Sequence, residues 1–162
     1  MRDPRRKVLS WEAALEWRRA AARERRSVVF TNGVFDLLHA GHVDVLCGAR
    51  AEGDLLVVGL NGDESVRRLN KGPGRPVRGQ AERAHVLAAL ESVDAVVIFD
   101  QDTPLELVRR LEPDVIVKGG DYTPDSVVGA AEVRDRGGRV VIIPLTPGHS
   151  TTLTVEKLRA AD

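Results

Sequence analysis

Short apolar runs alternate along the chain with stretches whose apolar residues recur every three or four positions. Val28-Val29-Phe30-Thr31 is continuous, as expected of a strand buried on both faces. Leu55–Leu60, Asp94–Phe99, Asp114–Val117 and Val140–Ile143 read the same way, which predicts five strands. Helical stretches lie around and between them. The first starts at a Ser10 cap, with Trp11, Ala14, Leu15 and Arg18 on neighbouring faces. Others run over Gly41–Ala51, Asp63–Leu69 and Ala81–Glu91. Thr103-Pro104-Leu105-Glu106 opens a helix with Thr as cap, and Pro113 stops it. Another helix near Ser126–Arg136 ends at Gly137-Gly138, and a last one opens at Ser150. Residues 70–80 (NKGPGRPVRGQ) are loop, rich in Gly, Pro and charge.

Strands separated by helices require crossover connections and give a parallel sheet covered on both faces. The expectation is a single α/β domain, Rossmann-like, with a five-stranded parallel sheet over residues 27–162. Residues 1–26 precede it as a helical extension. Such sheets bind ligands beyond the carboxyl ends of their strands, where strand order reverses. Chemistry is therefore sought in Thr31–His42, Asn61–Ser65, Asp100–Thr103, Lys118–Tyr122 and Pro144–Thr152.

Composition narrows the function classes. The 162 residues are 43% hydrophobic and 30% charged with zero net charge, so bulk electrostatics draw the chain to neither nucleic acid nor an anionic membrane. Residues 1–26 hold nine Arg or Lys against four acids. A basic arm can touch nucleic acid, but no aromatic platform accompanies it, and the solvated face of a packing helix is the better reading. One cysteine, Cys47, excludes an intramolecular disulfide and a cysteine-based metal site. It is read as a small core residue in a chain of the reducing cytoplasm. No apolar run has the length of a signal peptide or a membrane span.

The first post-strand segment is the most telling. In Thr31-Asn32-Gly33-Val34-Phe35-Asp36-Leu37-Leu38-His39-Ala40-Gly41-His42, two imidazoles stand three residues apart at a helix start. That spacing puts both rings on one side of the first turn, beside unpaired N–H groups and the positive dipole end. Gly33 and Gly41 open the backbone to a close-approaching anion. Two histidines satisfied within the core are the alternative. Lys118-Gly119-Gly120-Asp121-Tyr122 offers an ammonium for phosphate after the fourth strand, where a surface lysine is the bland reading. Ser150-Thr151-Thr152 is a hydroxyl cap or a second phosphate cradle, and one helix end can serve both.

His39-Ala40-Gly41-His42 matches the HxGH signature of the cytidylyltransferase-like nucleotidyltransferases, and Gly33-x-Phe35-Asp36-x-x-His39 matches its wider form. NGDESVRRL, KGPGRPV, DQDTPL, VKGGDYT and the STT at 150–152 resemble the D-glycero-β-D-manno-heptose 1-phosphate adenylyltransferases within that superfamily. The resemblance covers roughly residues 27–159. It departs at Asn70, a one-residue insertion, at Arg78-Gly79, where Asn-Pro is usual, and at His149 before the STT.

The resemblance implies transfer of a nucleoside monophosphate from an NTP to a sugar 1-phosphate by direct in-line displacement. His39, His42 and Lys118 would stabilise charge on the phosphates. Thr31, Asn32, Gly33, Phe35, Gly41, Ser150, Thr151 and Thr152 would bind the nucleotide. Asp36, Asn61, Lys71, Arg75, Gly119 and Asp121 would line the substrate side. Mg²⁺ is expected on the phosphates rather than in a protein cage, with Asp36 an indirect contact. A homodimer is implied. No kinase half is present, so a separate kinase is expected to supply the sugar 1-phosphate. ATP and CTP both remain open as donor. A CTP-dependent enzyme for a polyol or other sugar phosphate is one alternative, and a non-catalytic nucleotide-binding module is another. No P-loop, dinucleotide fingerprint or zinc motif is present.

Overall fold

The computed structural model describes residues 3–70 and 72–144. Lys71, His149, Ser150, Thr151, Thr152 and the last expected helix lie outside the described residues.

A six-stranded, all-parallel sheet organises the chain, in the order β1-β4-β3-β2-β5-β6. Its strands are β1 (Val8–Leu9), β2 (Val28–Gly33), β3 (Leu55–Asn61), β4 (Ala95–Phe99), β5 (Val115–Gly119) and β6 (Arg139–Ile143). Five were expected. The sixth, β1, is two residues long and pairs Val8 with Val96 and Leu9 with Val97. A two-residue strand carries no periodicity, so the pattern of apolar positions does not reveal it.

Strand residues alternate between two cores. Val28, Phe30, Val57, Val97 and Ile116 face α1 (Trp11–Arg23), α5 (Leu105–Leu111) and α6 (Ala130–Asp135). Val29, Leu56, Val58, Val96 and Val117 face α2 (Ala40–Ala51) and α4 (Gln80–Ala88). Each such fully buried Val or Leu contributes about 1.5–3 kcal/mol, and burial on both faces explains the unbroken apolar runs. Trp11 and Trp17 pack partly buried against the first core. The Trp11 indole donates to Ile98 O at 2.9 Å. Lys7 Nζ donates to Leu90 O and Val93 O just beyond α4. The segment before residue 27 is thus sewn to the sheet edge.

Some boundaries differ from expectation. Pro104, not Thr103, is the N-cap of α5, without a side-chain cap bond. The helix expected from Ser126 begins only at Ala130, after a 3-10 turn over Pro124–Ser126. Gly129 intervenes at φ +88°, where a Cβ would lie 2.8 Å from Val108 Cγ1. Cys47 is exposed on α2, not a core residue. No helix among the described residues is long and apolar enough to cross a membrane.

From β2 the chain moves outward through β3 and β4, then returns to add β5 and β6 on the other side. The reversal lies between β2 and β5. Their carboxyl ends, Gly33 and Gly119, open the crevice where this architecture places ligands.

Candidate active site

β2 leads into a tight loop, and the loop feeds α2. Thr31 is buried in the strand and Asn32 follows at its end. A Cβ on Gly33 would sit 3.0 Å from Phe35 Cε2, so the missing side chain lets the Phe35 ring fold back over the strand end. Phe35 itself takes φ +45°, a conformation uncommon outside Gly, Asn and Asp. Its ring lies 5.2 Å from that of His42.

His39 is the N-cap of α2, with extended backbone (φ −140°, ψ 170°), and its carbonyl accepts from His42 N–H at 2.9 Å. The His39 and His42 rings stack, centroids 3.8 Å apart and planes 20° from parallel. Gly41 is buried between them in the first turn. Burial pushes the His42 imidazole down to about 4, and the neighbouring His39 adds to the effect. His42 is therefore neutral near pH 7, with a buried Nδ1 that has no hydrogen-bond partner among the described residues. A neutral imidazole at a helix mouth donates a hydrogen bond to phosphate and gains charge only when an anion compensates it.

Lys118 reaches this loop from β5, across the switch point. Its Nζ donates to Asn32 Oδ1 at 3.0 Å and to Asn32 O at 3.2 Å, and lies 5.5 Å from the Tyr122 ring centroid. Gly119 ends β5, and Asp121 beyond it is exposed. Asn32, Gly33, Phe35, His39, Gly41, His42 and Lys118 are thus assembled around one strand end.

Asp36, Arg75 and Asn61, expected on the substrate side, bond to other groups of the protein. Burial pushes the Asp36 carboxyl up, but its hydrogen-bond donors outweigh that and hold it below the usual range. Those donors are Val77 N–H and Arg78 N–H at 2.9 Å and Arg75 Nε at 2.6 Å. Asp36 and Arg75 are consequently committed to each other. Both Asp36 oxygens accept from protein donors. The Asn61 amide donates to Ser65 Oγ at 2.9 Å, inside the turn to α3 (Asp63–Arg68).

Sequence reasoning missed Arg83. Its guanidinium is fully buried and donates to Arg78 O, Val34 O, Asn61 O and Asp63 Oδ1 at 2.7–2.9 Å. One signal was available. Arg83 sits on the apolar face of α4, four residues before Leu87.

A parallel sheet with stacked imidazoles at a helix mouth and a lysine spanning the switch point defines a nucleotide-handling α/β domain. Residues 30–156 match the family model described as Cytidylyltransferase-like, and the chain belongs to that family of nucleotidyltransferases. It is 59% identical over 153 residues to the bifunctional protein HldE of Mesorhizobium japonicum, covering 94% of this chain and 31% of that protein. It is 58% identical over 159 residues to the same-named protein of Acidiphilium cryptum, covering 96% and 32%. The chain thus spans under a third of the length of these curated relatives. The crystal structure of the lipopolysaccharide core biosynthesis protein from Thermoplasma volcanium superposes with TM-score 0.62 at 27% identity, over 75% of this chain and 97% of that one. The pantoate-beta-alanine ligase of Francisella tularensis, at 13% identity and TM-score 0.62 over 86% of this chain and 68% of that one, shares the fold.

Proposed function

We propose that the chain transfers a nucleoside monophosphate, AMP from ATP, to D-glycero-β-D-manno-heptose 1-phosphate, yielding a nucleoside diphosphate sugar and pyrophosphate. The stacked His39–His42 pair beside Lys118 carries this reading, because it concentrates phosphate donors at one strand end. Likeness to the bifunctional HldE proteins and the VKGGDYT and STT motifs support the heptose acceptor.

A phosphate oxygen of the sugar 1-phosphate attacks the α-phosphorus. The α–β phosphoanhydride bond breaks, and its electrons leave with pyrophosphate. Both reactants are polyanions, so repulsion and misalignment dominate the barrier, and positioning with charge stabilisation lowers it. His39 and His42 donate to the NTP phosphates, joined by the first N–H groups of α2. Lys118 exchanges its Asn32 acceptors for a phosphate oxygen as charge builds. Ser150, Thr151 and Thr152 are assigned to the departing pyrophosphate, and Lys71 to the acceptor. Mg²⁺ carried in with the NTP would supply further charge neutralisation on the phosphates.

A homodimer of the cytoplasm is part of the same reading. Val86, 47% exposed on α4, rims a cavity with Leu37 and Leu38, and a second copy would cover these apolar side chains. Light scattering of the purified chain tests the dimer.

Pyrophosphate release measured with ATP or CTP, with and without heptose 1-phosphate, tests the reaction. Release that needs both ATP and the heptose is the expected result. Release with CTP and another polyol or sugar phosphate would move the assignment to a cytidylyltransferase. No release with any pair, despite nucleotide binding, would make the chain a non-catalytic module.

A further inference from the structure

Two loops far apart in sequence are joined by two buried groups of opposite charge. Asp36, in the loop after β2, accepts from Arg75 Nε and from the backbone N–H groups of Val77 and Arg78. Arg83, on α4, grips the same segment from its other side. Its Nε donates to Arg78 O at 2.9 Å, while Nη1 donates to Val34 O at 2.7 Å and to Asn61 O at 2.8 Å. Its Nη2 closes on Asp63 Oδ1 at 2.7 Å. The Asp36 and Arg83 side chains are both 0% exposed. A charge this deep persists only where its hydrogen bonds are met, and only a planar guanidinium fork can serve four acceptors fanned this way.

One of those acceptors leads to the reacting centre. Val34 immediately precedes Phe35, whose positive φ turns its ring onto His42. Holding the Val34 carbonyl therefore fixes where Phe35 starts, and Phe35 limits where the His42 ring lies. The β3 end is held by the same nitrogen, so the two strand ends and the 75–78 segment share one anchor.

We propose that Arg83 and Asp36 form a latch that seats the 75–78 segment against the loop leading to the paired imidazoles, and that both are positioning residues for nucleotidyl transfer. The kinetic half of this inference rests on the function proposed above. The latch itself does not.

The test uses Arg83→Lys and Asp36→Asn in the full chain, assayed well below each variant's unfolding midpoint. Simple destabilisation would lower the active fraction and leave KM alone. The latch predicts a higher KM for the nucleotide together with a lower kcat, kcat/KM falling about 10²-fold as the imidazole is misplaced. It also predicts faster amide exchange at Val77 and Arg78 in both variants. If Arg83→Lys fails to fold, Asp36→Asn alone decides, since it changes charge with almost no change in shape. Unchanged KM and kcat per folded molecule, or unchanged exchange at Val77 and Arg78, would overturn the proposal. Should the unaltered chain release no pyrophosphate with any substrate pair, the function fails first and amide exchange judges the latch: faster exchange supports it, unchanged exchange ends it.

Discussion

The sheet has two ends, and each carries a cavity of about 400 Å³ rich in charge. At the amino end the cavity is lined by Arg18, Asp114, Arg136 and Arg139. Arg139 pairs with Glu52 at side-chain exposures of 59% and 33%, so water screens the pair. At the carboxyl end the cavity is lined by Phe35, Asp36 and Arg83. The buried polar and charged residues among those described are Thr31, Asp36, Asn61, Ser65 and Arg83, and all five belong to this end. Cavity size therefore does not distinguish the ends, whereas burial of polarity does. Burying charge is unfavourable unless geometry fixes it, and among the described residues this happens where two strand ends and two loops keep a shared position.

The largest effect expected from this contrast is on turnover. His39→Ala should fold and lose about 10²–10³ in kcat, the usual consequence of removing one donor to transition-state charge. Steady-state pyrophosphate release checks it. Next comes stability. Asp36→Asn leaves Arg75 without its carboxylate and turns one acceptor into a donor, which should cost about 3–5 kcal/mol in a denaturant titration. Arg139→Ala at the opposite end should cost about 0–1 kcal/mol in the same titration. Equal losses from these two variants would erase the contrast.

A pH dependence lies between those extremes. Burial, and then His39, hold folded His42 to about 4, against 6.5 for the free side chain. Between those values the unfolded chain takes up a proton at this site that the folded chain refuses. Stability should therefore fall as pH drops from 6.5 through 4, and the contribution should be fully lost below. His42→Asn should flatten that part of the profile in thermal melts across the range. An unaltered slope would mean that the ring is not buried as described.

Sequence pattern and structure agree best where the cause is local. The twelve residues Thr31–His42 carry their chemistry in spacing alone, since a strand end, a glycine and a helix start fix where two rings three residues apart must lie. Lys118 was expected just after a strand and lies within the last two residues of β5, which still puts it at the crevice. Asp36 was harder. The resemblance put it on the substrate side with an indirect Mg²⁺ contact, and the donors that hold it come from residues about forty positions away, which no local pattern encodes. Arg83 escaped for a similar reason, since its four acceptors come from three separate segments, at Val34, at Asn61 and Asp63, and at Arg78. Cys47 lies in a helix too weakly amphipathic for spacing alone to tell its inner face from its outer one.

The central claim is that His39 and His42 receive the polyphosphate. Imidazole signals of ¹⁵N-histidine-labelled protein, followed by NMR as a non-hydrolysable ATP analogue is added, test it most directly. Both ring signals should move together and saturate, and that of His42 should shift toward the protonated form as the anion arrives. Saturable binding that leaves both rings unmoved would contradict the account.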